Sequence, residues 1–206
     1  MQNIKWLFLD IGSTLVDESK CIEQRCRTIT SENNIDELEF KNKVLEYAKE
    51  SFQPVKLAAK YYGTKIPVWN KELEYLYPNV ESILSQLSKK YKLGIIANQS
   101  LGTKERLEHW GICKYFNIIV ASAEEGCEKP DSKIFNIALK RADCKAEEAF
   151  MIGDRLDNDI VSAKKIGMNT IWVKQGFAKY HIIKNKNEQP DYTIDTISEL
   201  IKLFEG

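Results

Sequence analysis

Short, almost continuously apolar segments recur along the chain and alternate with segments whose apolar residues are spaced three and four apart. Apolar runs of this kind are typical of strands buried on both faces of a parallel sheet, whereas the three-and-four spacing is typical of helices. Regular alternation of the two predicts right-handed βαβ crossovers and an α/β fold with a doubly wound, Rossmann-like parallel sheet. Strands are predicted at residues 4–9, 92–97, 116–120, 149–152, 170–173 and 192–194.

One long segment, residues 17–77, departs from this alternation and is helical in pattern throughout. Helices are predicted at residues 23–31, within 35–51 and at 55–62, and Phe40 and Val44 lie one helical turn apart. The segment therefore predicts a small helical domain inserted after the first strand. Residues 1–16 and 78–206 are left to form the α/β core domain.

Composition narrows the classes of function. The chain has 206 residues, and its 30 basic and 30 acidic residues give no net charge, which disfavours a nucleic-acid or anionic-membrane partner. No apolar run approaches the roughly 18 residues of a membrane span, and no signal peptide is predicted from Met1-Gln2-Asn3. The five cysteines are scattered without a C-x-x-C pair, which indicates reduced thiols and a cytoplasmic protein.

Polar residues stand where four of the predicted strands end or in the loops that follow. Asp10 comes directly after the first strand, Asn98 after the second, and Lys129 and Asp154 lie further along. The carboxyl ends of parallel strands meet in one crevice, so these side chains are expected to converge. Two carboxylates are suitable ligands for Mg²⁺. Lys129 could offset the remaining negative charge, and the backbone N–H groups after Asn98 could bind phosphate oxygens. Taken alone, Asp10 is better interpreted as a turn residue.

Four motifs in this order resemble the haloacid dehalogenase (HAD) superfamily. The family's D-x-D-x-T falls on Asp10–Thr14, and its strand-ending Ser or Thr falls on Ala97. Its lysine motif is Lys129-Pro130-Asp131, and its G-D-x-x-x-x-D is Gly153–Asp159. The match extends over nearly the whole chain, and the inserted helical segment looks like the family's C1-type cap, a lid over the active site.

The resemblance implies a Mg²⁺-dependent phosphatase acting on a small phosphorylated metabolite. Asp10 would attack phosphorus to form an aspartyl-phosphate that water later hydrolyses, and Lys129 would stabilise the charge of the nucleophile and the phosphoryl group. Asp10, the backbone carbonyl of Gly12 and Asp154 would hold Mg²⁺. Asp159 would orient the groups around the metal.

Two positions depart from the family pattern. Gly12 replaces the second aspartate, which serves the family's phosphatases as general acid and base, a function typically worth about 10²–10⁴-fold in rate. Ala97 removes a hydroxyl that would bind the phosphoryl group; Asn98, Gln99 or Ser100 could substitute, and Asn98 and Gln99 are the predicted substrate-binding residues.

Three interpretations follow from the missing aspartate. A phosphatase, slow or specialised, could take its proton from Asp17, Glu18 or a lysine or tyrosine of the cap. Alternatively, the chain is a catalytically impaired metal-binding, phospho-ligand-binding or regulatory protein, or it performs another chemistry of the family, of the dehalogenase or phosphonatase type. In this family the cap contributes specificity, and Tyr61, Tyr62 and Trp69 are suggested as residues that line the pocket.

Overall fold

The computed structural model describes residues 3–205, and its centre is a six-stranded parallel sheet. The strand order is β5-β4-β1-β6-β7-β8, while β2 and β3 form a separate antiparallel pair. The first strand is therefore central, and the predicted α/β fold is confirmed. The strands are β1 (Trp6–Leu9), β2 (Val16–Asp17), β3 (Tyr75–Leu76), β4 (Lys92–Ala97), β5 (Ile118–Ala121), β6 (Ala149–Gly153), β7 (Asn169–Val173) and β8 (Tyr192–Ile194).

The helices of the described residues are α1 (Ser19–Asn33), α2 (Glu37–Ala48), α3 (Pro54–Tyr61), α4 (Val80–Leu87), α5 (Thr103–His109), α6 (Ser122–Glu125), α7 (Ser132–Ala142), α8 (Val161–Lys165) and α9 (Glu199–Glu205). The three helices that the apolar spacing predicts within residues 17–77 are present as α1, α2 and α3. Within residues 3–205, no helix has the length and apolar character needed to cross a membrane.

Strand β1 is buried on both faces of the sheet, which explains why its sequence is apolar at almost every position. Leu7 and Leu9 belong to a core cluster that also holds residues of α4 and α9. The alternate side chains, Trp6 and Phe8, belong to a second cluster with residues of α7 and α8. Because helices cover both faces of the sheet, neither set of side chains faces water.

The chain enters and leaves the helical segment through the ribbon of β2 and β3, in which Val16 pairs with Leu76. Strands of two residues are too short to show a periodic pattern, and the sequence did not predict them. Helices α1, α2 and α3 share a hydrophobic cluster of their own, centred on Phe40. The boundaries assigned to this segment, residues 17–77, stay a prediction.

The chain after β6 begins its helix irregularly. A π-helical turn, Leu156–Ile160, comes first and α8 follows it. The wider turn brings Asp159 inward, where its side chain is fully buried. π-Turns of this kind are frequent at functional sites.

Candidate active site

The carboxyl ends of β1, β4 and β6 open into one cavity of about 360 Å³ between the sheet and the helical segment. Six of the seven residues predicted for the site line it, and Asp159 lies directly behind, in contact with Lys129. The convergence that the strand ends predict is therefore present. The six lining residues are Asp10, Gly12, Asn98, Gln99, Lys129 and Asp154.

The Lys129 ammonium group is at the centre of the site. It donates hydrogen bonds to Asp10 Oδ1 at 2.7 Å, Asp159 Oδ1 at 2.6 Å and the Ile96 carbonyl at 3.0 Å, and its side chain is 2% exposed. Burial alone would lower the pKa of Lys129, but the two carboxylates outweigh it and raise that pKa above its ordinary value. Lys129 is therefore a fixed positive charge that holds the Asp10 carboxylate in place.

Asn98 holds Lys129 through the backbone. Its Oδ1 accepts a hydrogen bond from the Lys129 N–H, and its Nδ2 donates to the Lys129 carbonyl, both at 2.8 Å. Gln99 also has protein partners, because its side-chain oxygen accepts from Arg106 and its N–H donates to Ser122 Oγ at 3.0 Å. Asn98 thus has a positioning role that its sequence position did not reveal, and the substrate contacts assigned to Asn98 and Gln99 stay predictions.

The loop after β1 turns tightly. The Ile11 carbonyl accepts from the N–H of Thr14 at 3.3 Å, and Ser13 takes a left-handed conformation with φ of 51°. Gln175 ties this loop to the rest of the core, since its Nε2 donates to the Thr14 carbonyl at 3.2 Å and its Oε1 accepts from the Ile197 N–H at 2.6 Å. Gln175 was not predicted from the sequence. It follows β7, so the convergence of strand ends could have located it.

Asp10, Asp154 and Asp159 form a buried acidic cluster whose carboxylate oxygens lie within 4.8 Å of one another. Burial, followed by repulsion from the other two carboxylates, raises the pKa of Asp154 well above its usual range. Lys129 is the one cationic side chain bonded to the cluster within the described residues. Three carboxylates facing one ammonium leave a negative excess, and an all-oxygen donor set with this excess fits a hard divalent cation such as Mg²⁺.

The position of Asp159 depends on Gly153. A Cβ on Gly153 would lie 2.2 Å from Asp159 Oδ2, so only glycine allows this carboxylate to pack against the end of β6. The same oxygen accepts a hydrogen bond from the Arg155 N–H at 3.0 Å. The glycine that begins the fourth motif thus meets a packing requirement imposed by the last aspartate of the motif.

Glu18 contributes a further carboxyl group to the cavity. Its Oε2 accepts a hydrogen bond from Ser13 Oγ at 2.9 Å, and a Cβ on Gly12 would lie 2.8 Å from its Oε1. Burial, with a smaller contribution from Asp10, raises the pKa of Glu18 to about 7 against the Ser13 hydrogen bond, which lowers it. Asp17 instead accepts hydrogen bonds from the Ser19 N–H at 2.8 Å and Tyr75 Oη at 3.1 Å, outside this cavity.

The helical segment lines the outer part of the cavity. Trp69, suggested by the sequence, is there, with the Arg25 guanidinium 4.5 Å from its ring centre. Tyr61 and Tyr62 are not among the cavity-lining residues of the described chain; their rings contact each other at 4.9 Å. Arg25 carried no sequence signal because its place depends on how α1 packs over the sheet.

A model of the haloacid dehalogenase-like hydrolase family matches residues 7–173. The chain belongs to this family. A glyceraldehyde 3-phosphate phosphatase from Pyrococcus furiosus is 33% identical over 100% of this chain and 95% of its own length. The structure of a HAD phosphatase from Thermococcus onnurineus superposes with a TM-score of 0.66 at 25% identity, covering 98% of this chain and 99% of that one. The structure of the HAD-hydrolase YfnB from Bacillus subtilis bound to magnesium, 21% identical over both whole chains, superposes with a TM-score of 0.73 and shares the fold.

The close approach of Gly153 and Asp159 predicts coupled substitutions. Gly153→Ala should lower the free energy of unfolding by about 1–3 kcal/mol, because the added methyl group displaces the Asp159 carboxylate from its partners. In an Asp159→Ala background the same change should cost at least 0.5 kcal/mol less, roughly the smallest coupling expected of contacting residues. Urea unfolding of the four proteins measures this coupling, and strictly additive costs would contradict it.

Glu18 predicts a pH dependence of stability in metal-free protein. Its pKa is about 7 when folded and near the ordinary 4.5 when unfolded, so the folded state binds the proton more tightly. The stabilisation is complete below about pH 4.5 and is lost as the pH rises through 7. Relative to Glu18→Gln, wild type should lose on the order of 2 kcal/mol of its free energy of unfolding across this pH range. This is less than the difference in pKa alone implies, because Glu18 is only half-buried and solvent screens its charge. Chemical unfolding in a chelating buffer at stepped pH tests this, and a pH-independent difference between the two proteins argues against it.

Proposed function

We propose that this hydrolase is a Mg²⁺-dependent phosphatase that acts on a small phosphorylated metabolite through an aspartyl-phosphate on Asp10. The observation that carries the proposal is the Lys129 ammonium group held between Asp10 and Asp159, beside Asp154, at the floor of a cavity. The relative from Pyrococcus furiosus, named a glyceraldehyde 3-phosphate phosphatase, supports the substrate class.

Asp10 is the nucleophile of the proposed reaction. One oxygen of its carboxylate bonds to Lys129, which fixes the orientation of the group and leaves the other oxygen for the substrate. This carboxylate attacks phosphorus, the bond from phosphorus to the ester oxygen breaks, and Lys129 offsets the negative charge that accumulates. Water then hydrolyses the aspartyl-phosphate and regenerates Asp10.

Asp10, the Gly12 carbonyl and Asp154 would hold Mg²⁺, and all three residues line the cavity. When bound, the cation neutralises charge, so that an anionic carboxylate can approach an anionic phosphate. Asp159 acts from behind these groups, through its bonds to Lys129 and to the Arg155 N–H.

The cavity also indicates what kind of ester would fit. Its volume of about 360 Å³ suits a metabolite of a few carbon atoms, and Arg25 and Lys56 add positive charge on the side of the helical segment. Asn98 and Gln99 line the floor, and we assign them to the phosphate through Gln99 Nε2 and the second hydrogen of Asn98 Nδ2, which their contacts within the described residues leave available. Positive charge at both ends favours a compact anionic substrate.

The replacement of the second aspartate by Gly12 supports a second candidate function, a protein that binds metal and a phosphorylated ligand without hydrolysing it. Dehalogenase chemistry is less favoured, because the family's dehalogenases work without a metal and the buried acidic cluster here carries a negative excess. Activity and metal binding, measured separately, distinguish these functions.

Phosphate release tests the hydrolase directly. Wild type should release inorganic phosphate from p-nitrophenyl phosphate and from members of a panel of sugar and triose phosphates when Mg²⁺ is present, and a chelator should abolish the release. Asp10→Asn should lower kcat by at least about 10³-fold, because an amide is not a nucleophile toward phosphorus. If wild type and this variant are equally inactive across the panel while Mg²⁺ still binds, the binding protein is the correct function.

Metal binding has its own readout in thermal unfolding. Mg²⁺ at about 100 times its dissociation constant should stabilise the folded protein by about 2.7 kcal/mol, which raises the melting temperature by several degrees. Asp154→Asn should remove most of this shift, since it replaces a carboxylate ligand by a neutral amide. Glu125→Gln, a change at a carboxylate that pairs with Arg141 away from the cavity, is the control and should keep the full shift.

A further inference from the structure

A phosphatase with glycine at position 12 lacks the proton donor that an aspartate would supply there. The described cavity offers few replacements, because only three carboxyl groups line it: Asp10, Glu18 and Asp154. The proposed function assigns Asp10 to nucleophilic attack and Asp154 to the metal. Glu18 is the carboxyl group that remains.

The Glu18 carboxyl group lies where a side chain at position 12 would project. A Cβ on Gly12 would lie 2.8 Å from Glu18 Oε1 and 3.2 Å from Glu18 Cδ, so the glutamate carboxyl occupies the volume into which a side chain at residue 12 would project. Glu18 reaches this volume from the junction of β2 and α1. The glycine and the glutamate are therefore sterically complementary.

We propose, on the basis of the phosphatase function above, that Glu18 is the general acid and base of the reaction, a catalytic residue supplied from the start of the helical segment. It takes over the function that an aspartate at position 12 would perform. The assignment rests on where the carboxyl group lies and on the commitment of the other carboxyl groups.

Other acidic side chains near the site have partners that hold them elsewhere. Asp159 bonds to Lys129, and Asp17 bonds to Tyr75 Oη. Glu74 Oε1 accepts a hydrogen bond from the Trp69 indole N–H at 2.7 Å. None of these three is among the residues that line the cavity floor within the described chain.

Ser13 orients the two oxygens of Glu18 differently. Its hydroxyl donates to Oε2 at 2.9 Å, while Oε1 is the oxygen nearer to residue 12. The left-handed backbone of Ser13 places this hydroxyl, and Gly176 gives it room, since a Cβ on Gly176 would lie 2.8 Å from Ser13 Oγ. Oε1 is thus the oxygen left to exchange a proton with the substrate.

The proposed proton cycle balances. As Asp10 attacks and the ester P–O bond breaks, the Glu18 carboxyl gives its proton to the leaving oxygen, so an alcohol departs and Glu18 becomes a carboxylate. Glu18 then removes a proton from water while the water oxygen attacks phosphorus and the bond from phosphorus to Asp10 breaks. Hydrogen phosphate leaves, Asp10 is again a carboxylate, and Glu18 is again protonated.

The first test separates leaving groups. Glu18→Gln should lower kcat/KM for primary alkyl phosphates, glyceraldehyde 3-phosphate among them, by about 10²–10⁴-fold, because an alkoxide leaves poorly without a proton. With p-nitrophenyl phosphate, whose leaving anion is stable, the first turnover should keep at least a third of the wild-type rate. The aspartyl-phosphate should then accumulate, giving a burst of one nitrophenolate per enzyme molecule, since the base for hydrolysis is gone.

The control for this test is Glu23→Gln, which removes an exposed carboxylate from α1, the helix that begins after Glu18. Its kcat/KM should stay within threefold of wild type. If wild type hydrolyses these esters and Glu18→Gln also stays within threefold on the alkyl phosphates, the inference about Glu18 is overturned while the phosphatase function stands. If wild type releases no phosphate at all, the proposed function fails first and this inference with it.

A rescue separates proton transfer from a structural role. Gly12→Asp alone should not raise the rate, because Glu18 already supplies the proton and its carboxyl group has to shift to admit the new side chain. Gly12→Asp combined with Glu18→Ala should recover at least tenfold in kcat over Glu18→Ala alone, since the volume now accepts an aspartate in the same place. If Gly12→Asp alone is faster than wild type and the double variant is not rescued, Glu18 does not take the place of an aspartate at position 12. Thermal unfolding of each variant shows whether it is folded.

Discussion

A single buried ammonium group, on Lys129, joins parts of the chain that are more than a hundred residues apart. It contacts Asp10 at the end of β1, Asp159 in the turn after β6 and the Ile96 carbonyl in β4. Removing one partner of a buried ion pair typically costs about 3–5 kcal/mol, because the other charge is left without compensation. The ends of β1, β4 and β6 are therefore held together by the Lys129 ammonium group, whose burial requires these partners.

The chemistry of the site follows from charges that do not balance. Burial makes negative excess expensive, and the site keeps three carboxylates against one lysine. A bound cation would remove this cost and would also prepare the site for an anionic ester. The unbalanced charges thus lower the stability of the metal-free protein, a trade that is common where function and folding meet.

The sequence predicted the framework because the framework depends on local pattern. A strand that is apolar at almost every position predicts burial on both faces, and the rule that strand ends converge located Asp10, Lys129 and Asp154. Glu18 could be named only beside Asp17 and the lysines and tyrosines of the cap, because its relation to Gly12 depends on side-chain direction at the junction of β2 and α1. The partners of Asn98 and the inward turn of Asp159 likewise come from tertiary packing, which local sequence pattern does not predict.

The paired hydrogen bonds between the Asn98 amide and the backbone of Lys129 have the geometry of one rung in a β-ladder, made here by a side chain. A rung of this kind fixes the height of Lys129 relative to β4 although the lysine lies on a loop. The stretch between β5 and Lys129 is held at other points as well, since Ser122 Oγ accepts a hydrogen bond from the Gln99 N–H and Glu124 Oε1 accepts one from the Thr103 N–H. Lys129 is therefore fixed at both ends, its backbone by the Asn98 amide and its ammonium group by the two carboxylates.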